Sequence, residues 1–196
     1  KALQLSLYFY DANKCGPQAG PHLLEWRGPC HVEDAALPVG KATLSPALFT
    51  QYQSIFDPDG DGCIDVSGGF HDAGDHIKFG TPTAYAGSTL AWGLYNFRDV
   101  YIETGQYDHM KEILYWFGDY YKRTVFRDSD GSVIAFAYMV GGGVDHTYWG
   151  PPELQIEEAF PREATFGSRE NPASDVAAGI AATMALIYLN FNNEDT

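Results

Sequence analysis

Apolar residues recur at helical spacing in four stretches of the chain, separated by long segments with no period. Residues 2–14 place Leu3, Leu7 and Tyr10 on one face, and the pattern stops at Cys15, Gly16 and Pro17. Residues 82–103 put Pro82 in a first turn and Leu90, Leu94, Phe97 and Tyr101 on one side, with Gly105 as a stop. Residues 106–124 repeat the form. The connection between these two is about three residues, short enough to predict an antiparallel αα-hairpin. Residues 173–191, with Ser174 as cap, are apolar around most of the circumference through Ile180, Met184, Ile187 and Leu189, which predicts burial on several sides. Residues 133–140, VIAFAYMV, predict a short strand. Trp92, Tyr115, Trp116 and Tyr120 are assigned to packing, and His22 and His109 to the surface. Residues 15–81 and 141–171 are irregular, and segments of that length usually carry function. No fixed-period repeat and no linker interrupts the chain, so it is expected to be one all-α unit with long irregular loops.

Composition narrows the partners. With 45% hydrophobic and 19% charged residues in 196, the chain can bury a sizeable core. Its net charge of −14 repels phosphate backbones and anionic membranes, so neither nucleic acid nor membrane is an expected partner. A neutral polymer pays no such penalty. Aromatic residues at 15% suit either a thick core or a cleft for flat rings. No apolar run approaches the ~18 residues of a membrane span, and the opening KALQLSLYFYDANK is amphipathic rather than signal-like. An export signal is expected upstream or already removed.

The densest chemistry lies at 65–79, DVSGGFHDAGDHIKF, where Asp72 and Asp75 stand three apart behind two glycines. On a turn such carboxylates can converge on one water, one as general base and the other orienting it. A D-x-x-D of this kind can equally be a helix cap with a first-turn acid, which the residues alone favour. Cys15, Cys30, His31 and His71 offer two sulfurs and two imidazoles, the right number and type for tetrahedral zinc, although their spacing is not that of a finger. A Cys15–Cys30 disulfide with Cys63 free stands at least level with it. Residues 57–65, DPDGDGCID, begin like a calcium loop with Asp57, Asp59 and Asp61 alternating, but the twelfth position is Gly68 and lacks the bidentate glutamate. A solvated acidic turn ranks first there, with Asp65 able to complete a different calcium site.

The stretch DVSGGFHDAGDHIKFGTPTAYAGSTLAWGLY resembles the D-x-[ST]-G-G-[WYF]-x-D-A-G-D-H-x-K-F signature and following helix of glycoside hydrolase family 9. The likeness extends to the first helix, the WRG of Trp26–Gly28, GGGVDHTYWGPPE at 141–153 and PASD at 172–175. It is strongest to the family's clostridial cellulosomal endoglucanases, whose first helix leads into DANKCGPQAG. The resemblance implies the N-terminal part of an (α/α)6 barrel, with residues 1–196 supplying four or five of its twelve helices. It further implies inverting hydrolysis of cellulose or another β-1,4-glucan by a secreted enzyme. Asp75 then matches the general base, Asp72 the aspartate that helps hold the water, and His146 and Trp149 the residues that contact glucosyl units. Structural zinc at Cys15, Cys30, His31 and His71 is implied in preference to the disulfide. A cellulosome scaffold would be reached through a module outside this chain. The family's general acid is a glutamate in a segment with no counterpart here, so a non-catalytic glucan-binding or zinc-stabilised helical fragment is the alternative. Gly142 stands where an acidic residue is common, and Gly179 where glutamate is frequent, which leaves fine cleft geometry open.

Overall fold

The computed structural model describes residues 1–20 and 23–194, so His22 lies outside the described residues. Helix α1 spans Ala2–Asn13 and buries Leu7 and Asp11. Asp11 meets Lys14 at 3.0 Å and His109 Nε2 at 2.6 Å, which draws His109 off the open surface where periodicity puts it. Between residues 15 and 81 the chain is less irregular than expected. Strand β1 (Leu37–Pro38) precedes helices α2 (Pro46–Gln51) and α3 (Gln53–Phe56). The start of α2 is set by Ser45, whose Oγ accepts from Leu48 N, and by Pro46 in the first turn. Strand β2 (Cys63–Ile64) then pairs antiparallel with β1.

Strand β3 (Lys78–Phe79) leads directly into helix α4 (Gly80–Glu103), and α5 (Tyr107–Thr124) follows after the turn at Gly105, whose φ of +67° suits glycine. The predicted hairpin is therefore present. Strands β4 (Val125–Arg127), β5 (Val133–Val140) and β6 (Ala164–Ser168) follow, and β5 pairs antiparallel with β3, β4 and β6. Helix α6 spans Ser174–Phe191.

Two apolar clusters result. One joins α1, α4, α5 and α6 through residues such as Leu7, Leu94, Phe117 and Ile180. The other lies under the small sheet and includes Leu37, Phe56, Ile64, Val140 and Phe166. Helices α4 and α6 approach closely: Thr183 Oγ1 donates to Ala84 O at 3.0 Å and Asn190 Nδ2 to Ala91 O at 2.9 Å. At Gly179 a side chain would put its Cβ 2.8 Å from Ala84 Cβ, so this contact admits no glutamate.

Several expectations fail, because a 3.6-residue period registers neither a kink nor which faces of a helix are covered. Phe97 has non-helical angles (φ −125°, ψ 29°), which break the helix, and it is 62% exposed. Trp92, expected in the core, is 58% exposed. Helix α6 buries one face through Val176, Ile180, Thr183 and Leu186, while Tyr188 and Leu189 remain exposed. Its cap position falls on Ala173 with no side-chain bond, not on Ser174. By length and composition alone α6, at 18 residues, is apolar enough to cross a membrane, contrary to the expectation from the apolar runs. Core helices share that composition.

Candidate active site and metal centre

The segment Asp72–Asp75 is a turn, and helix α4 begins only at Gly80 with Phe79 in the cap position. Neither aspartate caps it, so the capping alternative fails. Asp72 N donates to Ile77 O at 2.9 Å, and Ile77 N donates to Asp75 Oδ1 at 3.0 Å, which closes the turn on itself. Ala73 at its centre has φ +55°, a left-handed backbone that costs a non-glycine residue about 1–3 kcal/mol and must be held by its surroundings.

Asp75 Oδ2 lies 3.0 Å from His146 Nδ1. Each carboxylate oxygen has two lone pairs, so these contacts leave capacity for a water. Burial, then the charge of Asp75, pushes the Asp72 carboxyl above its usual range. His146 stacks on Phe79 with centroids 6.0 Å apart. Trp149 is 79% exposed and lays its indole over Gly74, where a Cβ would come within 3.1 Å of the ring. The exposed indole and the two carboxylates thus share one open face. At Gly142 the space for a side chain is taken by Glu163, whose Oε1 would be 2.7 Å from an added Cβ.

Behind the turn, Cys15, Cys30, His31 and His71 are all buried, and their donor atoms lie within 4.8 Å of one another. His31 Nδ1 is 3.1 Å from His71 Nε2 and 3.8 Å from Cys15 Sγ. A tetrahedral zinc with bonds of about 2.0–2.1 Å to nitrogen and 2.3 Å to sulfur has edges of roughly 3.3–3.8 Å, so the donors fit such an ion. All three cysteines are free, which leaves no Cys15–Cys30 disulfide. A hydrogen bond with Cys15 lowers the Cys30 thiol despite burial, favouring a thiolate, and burial pushes His71 down to about 4, favouring the neutral imidazole. Those are the protonation states that metal ligation uses. Arg27 Nη2 donates to Lys14 O at 2.9 Å and approaches Cys30 Sγ at 3.4 Å, binding the two cysteine loops together. His31, like Ala73, holds a left-handed backbone, with φ +45°.

A buried polar chain joins this cluster to the turn carrying Asp72 and Asp75, and none of its members carries a periodic signal. Asp34 is gripped by Lys78 Nζ at 2.8 Å and by Arg162 Nε and Nη2, each at 3.1 Å. Burial alone would raise the Asp34 carboxyl, but the charges of Arg162 and Lys78 outweigh it and hold it well below the usual carboxylate range. Arg162 Nη1 also donates to His76 O at 2.8 Å and to Asp145 Oδ1 at 3.0 Å. Gln155 Nε2 donates to Asp145 Oδ1 at 2.5 Å, and its Oε1 faces both His31 Nε2 (3.2 Å) and His76 Nδ1. Gln155 Oε1 can only accept, so His31 Nε2–H donates to it and Nδ1 faces the cluster. The turn carrying Asp72 and Asp75 is thus fixed at both ends, by His71 and by the His76 carbonyl.

This arrangement has known counterparts. The profile of glycosyl hydrolase family 9 matches residues 1–196. The chain belongs to glycosyl hydrolase family 9. It is similar to the catalytic domain of CelT from Clostridium thermocellum, with 48% identity and a TM-score of 0.95 over 100% of this chain and 40% of that one. It is also similar to the cellulase Cel9M of C. cellulolyticum, at 37% identity and a TM-score of 0.76 over 99% of this chain and 39% of that one. Endoglucanase 4 of Bacillus sp. (strain KSM-522) is 32% identical over 195 residues, 100% of this chain and 26% of its own length. The all-α architecture is accordingly that of part of a family 9 (α/α)6 barrel. The chain spans about 40% of the solved catalytic domain and about a quarter of this curated relative.

Glu153 and Glu157 are the carboxylates of the DHTYWGPPE segment and its continuation. Glu153 Oε1 accepts from Arg27 Nε at 2.7 Å and from Gly28 N at 2.9 Å, and these bonds, against burial, keep its carboxyl below its usual range. A general acid requires the opposite shift. Glu157 is exposed and lies in a turn.

Proposed function

We propose that the chain supplies the base side of the cleft in a secreted, inverting endo-β-1,4-glucanase. The observation that carries this is the open face on which Asp75, Asp72, His146 and Trp149 meet within a family 9 fold. Cellulose or another β-1,4-glucan is the substrate. Trp149 stacks on a glucosyl ring, and His146 orients Asp75 and contacts the sugar. Asp75 accepts a proton from a water held with help from Asp72. As the new C1–O bond forms on one face of the ring, the C1–O4 bond breaks on the other and the leaving oxygen takes a proton from a general acid. Inversion requires that acid about 6.5–9.5 Å from the base, too far for Asp72 to fill the role within the same turn. A glutamate from sequence outside residues 1–196 supplies it. Attachment to a cellulosome scaffold would likewise belong to a module outside the chain.

Cys15, Cys30, His31 and His71 would hold zinc. A full set of four protein ligands leaves no place for a reacting water, so the ion's contribution is to fix the loops around residues 15, 31 and 71. The whole protein containing this chain is expected to release cello-oligosaccharides from soluble cellulose derivatives. It should also carry one zinc per chain at this cluster after purification without added metal, by elemental analysis. Cys15→Ser and His71→Ala should each lose that zinc and lower the melting temperature. A Cys15–Cys30 disulfide in a non-reducing peptide map would exclude the metal reading, and absence of glucan cleavage would exclude the activity.

A further inference from the structure

The loop from α3 to β2 holds three carboxylates that the proposed reaction does not use. Asp57, Asp59 and Asp61 each offer an oxygen within 4.8 Å of the other two. Like charges at that range repel, and Arg123, which lines the same cavity, is engaged elsewhere: it meets Asp65 Oδ2 at 3.2 Å and donates to Ser67 O at 2.9 Å. Exposed acidic clusters are common, but Asp57 is not exposed. It is 4% accessible, its Oδ2 accepts from Gly62 N at 3.1 Å, and its Oδ1 is buried with no hydrogen-bond partner. A buried carboxylate oxygen without a partner is unfavourable unless a cation meets it.

The backbone around it is shaped to converge these oxygens. Gly62, sixth in the loop that begins at Asp57, has φ +81°, a turn few other residues can make. Ile64, in the eighth position, is fully buried and pairs with Leu37 across β1 and β2, which anchors the end of the loop to the fold. Cys63 lies beside the cluster, and partial burial with the charges of Asp61, Asp57 and Asp59 pushes its thiol up. A neutral thiol is a poor ligand, so the available donors are oxygens, the set that hard cations take.

We propose that Asp57, Asp59 and Asp61 form a calcium site, its shell completed by main-chain carbonyls and water. Seven or so flexible oxygen positions suit calcium better than magnesium, which demands a tighter octahedron. With Gly68 where a bidentate glutamate would stand, the affinity is expected in the weak range of extracellular calcium modules, on the order of 10⁻⁴ M. The ion would neutralise the loop that runs through β2 into the segment ending at Asp72, adding a second anchor ahead of the catalytic turn. This site is independent of the glucanase reading.

Calorimetric titration of the whole protein, stripped of loosely held ions with EGTA, with calcium chloride and then magnesium chloride tests it. Wild type should bind one more calcium than the Asp59→Asn, Asp61→Asn double variant at millimolar calcium, with magnesium at least tenfold weaker. Both residues are exposed, so the variant should still melt cooperatively, and calcium should raise its melting temperature less than that of wild type. Should the double variant fail to fold, Asp59→Asn alone is expected to weaken calcium binding at least tenfold. Equal calcium stoichiometry in wild type and variant, an unchanged affinity in the single variant, or magnesium binding as tight as calcium would overturn the proposal.

Discussion

Asp75→Asn in the whole protein is expected to lower kcat on cello-oligosaccharides by about 10²–10⁴-fold, the usual contribution of a positioned general base. The amide keeps the shape of the carboxylate and can still accept from Ile77 N through its oxygen, so the turn should survive. It cannot take the water's proton. Binding of a cello-oligosaccharide, measured by calorimetry, should change little, because Trp149 and the rest of the face remain. A second signature separates this from a general loss of structure. Removing the Asp75 charge takes away the smaller of the two causes that raise Asp72, so the Asp72 carboxyl should move down toward its ordinary value. Asp72→Asn should be comparable or milder. An Asp75→Asn variant that keeps a large fraction of the wild-type rate would end the assignment of the base.

Arg162→Met should be the most damaging structural change, destabilising the fold by about 3–5 kcal/mol, because it removes one partner from a buried ion pair and leaves charges uncompensated. Asp34 would keep Lys78, but Asp145 would lose its guanidinium and the His76 carbonyl its donor. Arg162→Lys should rescue little, since a single ammonium cannot reproduce the fork that grips Asp34, Asp145 and the carbonyl together. The pH dependence carries a sign. Asp34 is depressed in the folded state, so its contribution is present above the unfolded carboxylate value of about 3.9 and is lost as pH falls below it. The gap between wild type and variant, read from denaturant midpoints, should therefore be widest near neutrality and narrow below about pH 4.

The helices were legible because α1, α4, α5 and α6 bury faces at regular spacing, and the β5 segment because its apolar run is short and ends at glycines. The turn carrying Asp72 and Asp75 and the buried cluster of Cys15, Cys30, His31 and His71 were singled out by their motif rather than by any period. The buried chain of Asp34, Lys78, Arg162, Asp145 and Gln155 was not. Each member is a polar residue in an irregular segment, and their partnership spans up to 128 positions, as between Asp34 and Arg162. Burial of such groups is decided by tertiary pairing, which hydrophobic patterning cannot register. The outward Trp92 and Phe97 mark the converse limit, apolar residues at helical spacing whose exposure depends on a kink and on which neighbours surround the helix. Helix α2 had a local signal, Ser45 followed by Pro46, that a search for apolar periodicity passes over.

The central claim is that Asp75 directs a water onto the anomeric carbon from the face opposite the leaving oxygen. The stereochemistry of the first product tests it directly. Proton NMR of cello-oligosaccharide hydrolysis by the whole protein, followed from the first minutes before mutarotation equilibrates the anomers, should show the new reducing end appearing as the α-anomer. Initial release of the β-anomer would mean retention, with a covalent intermediate and a nucleophilic carboxylate, and would contradict the role assigned to Asp75.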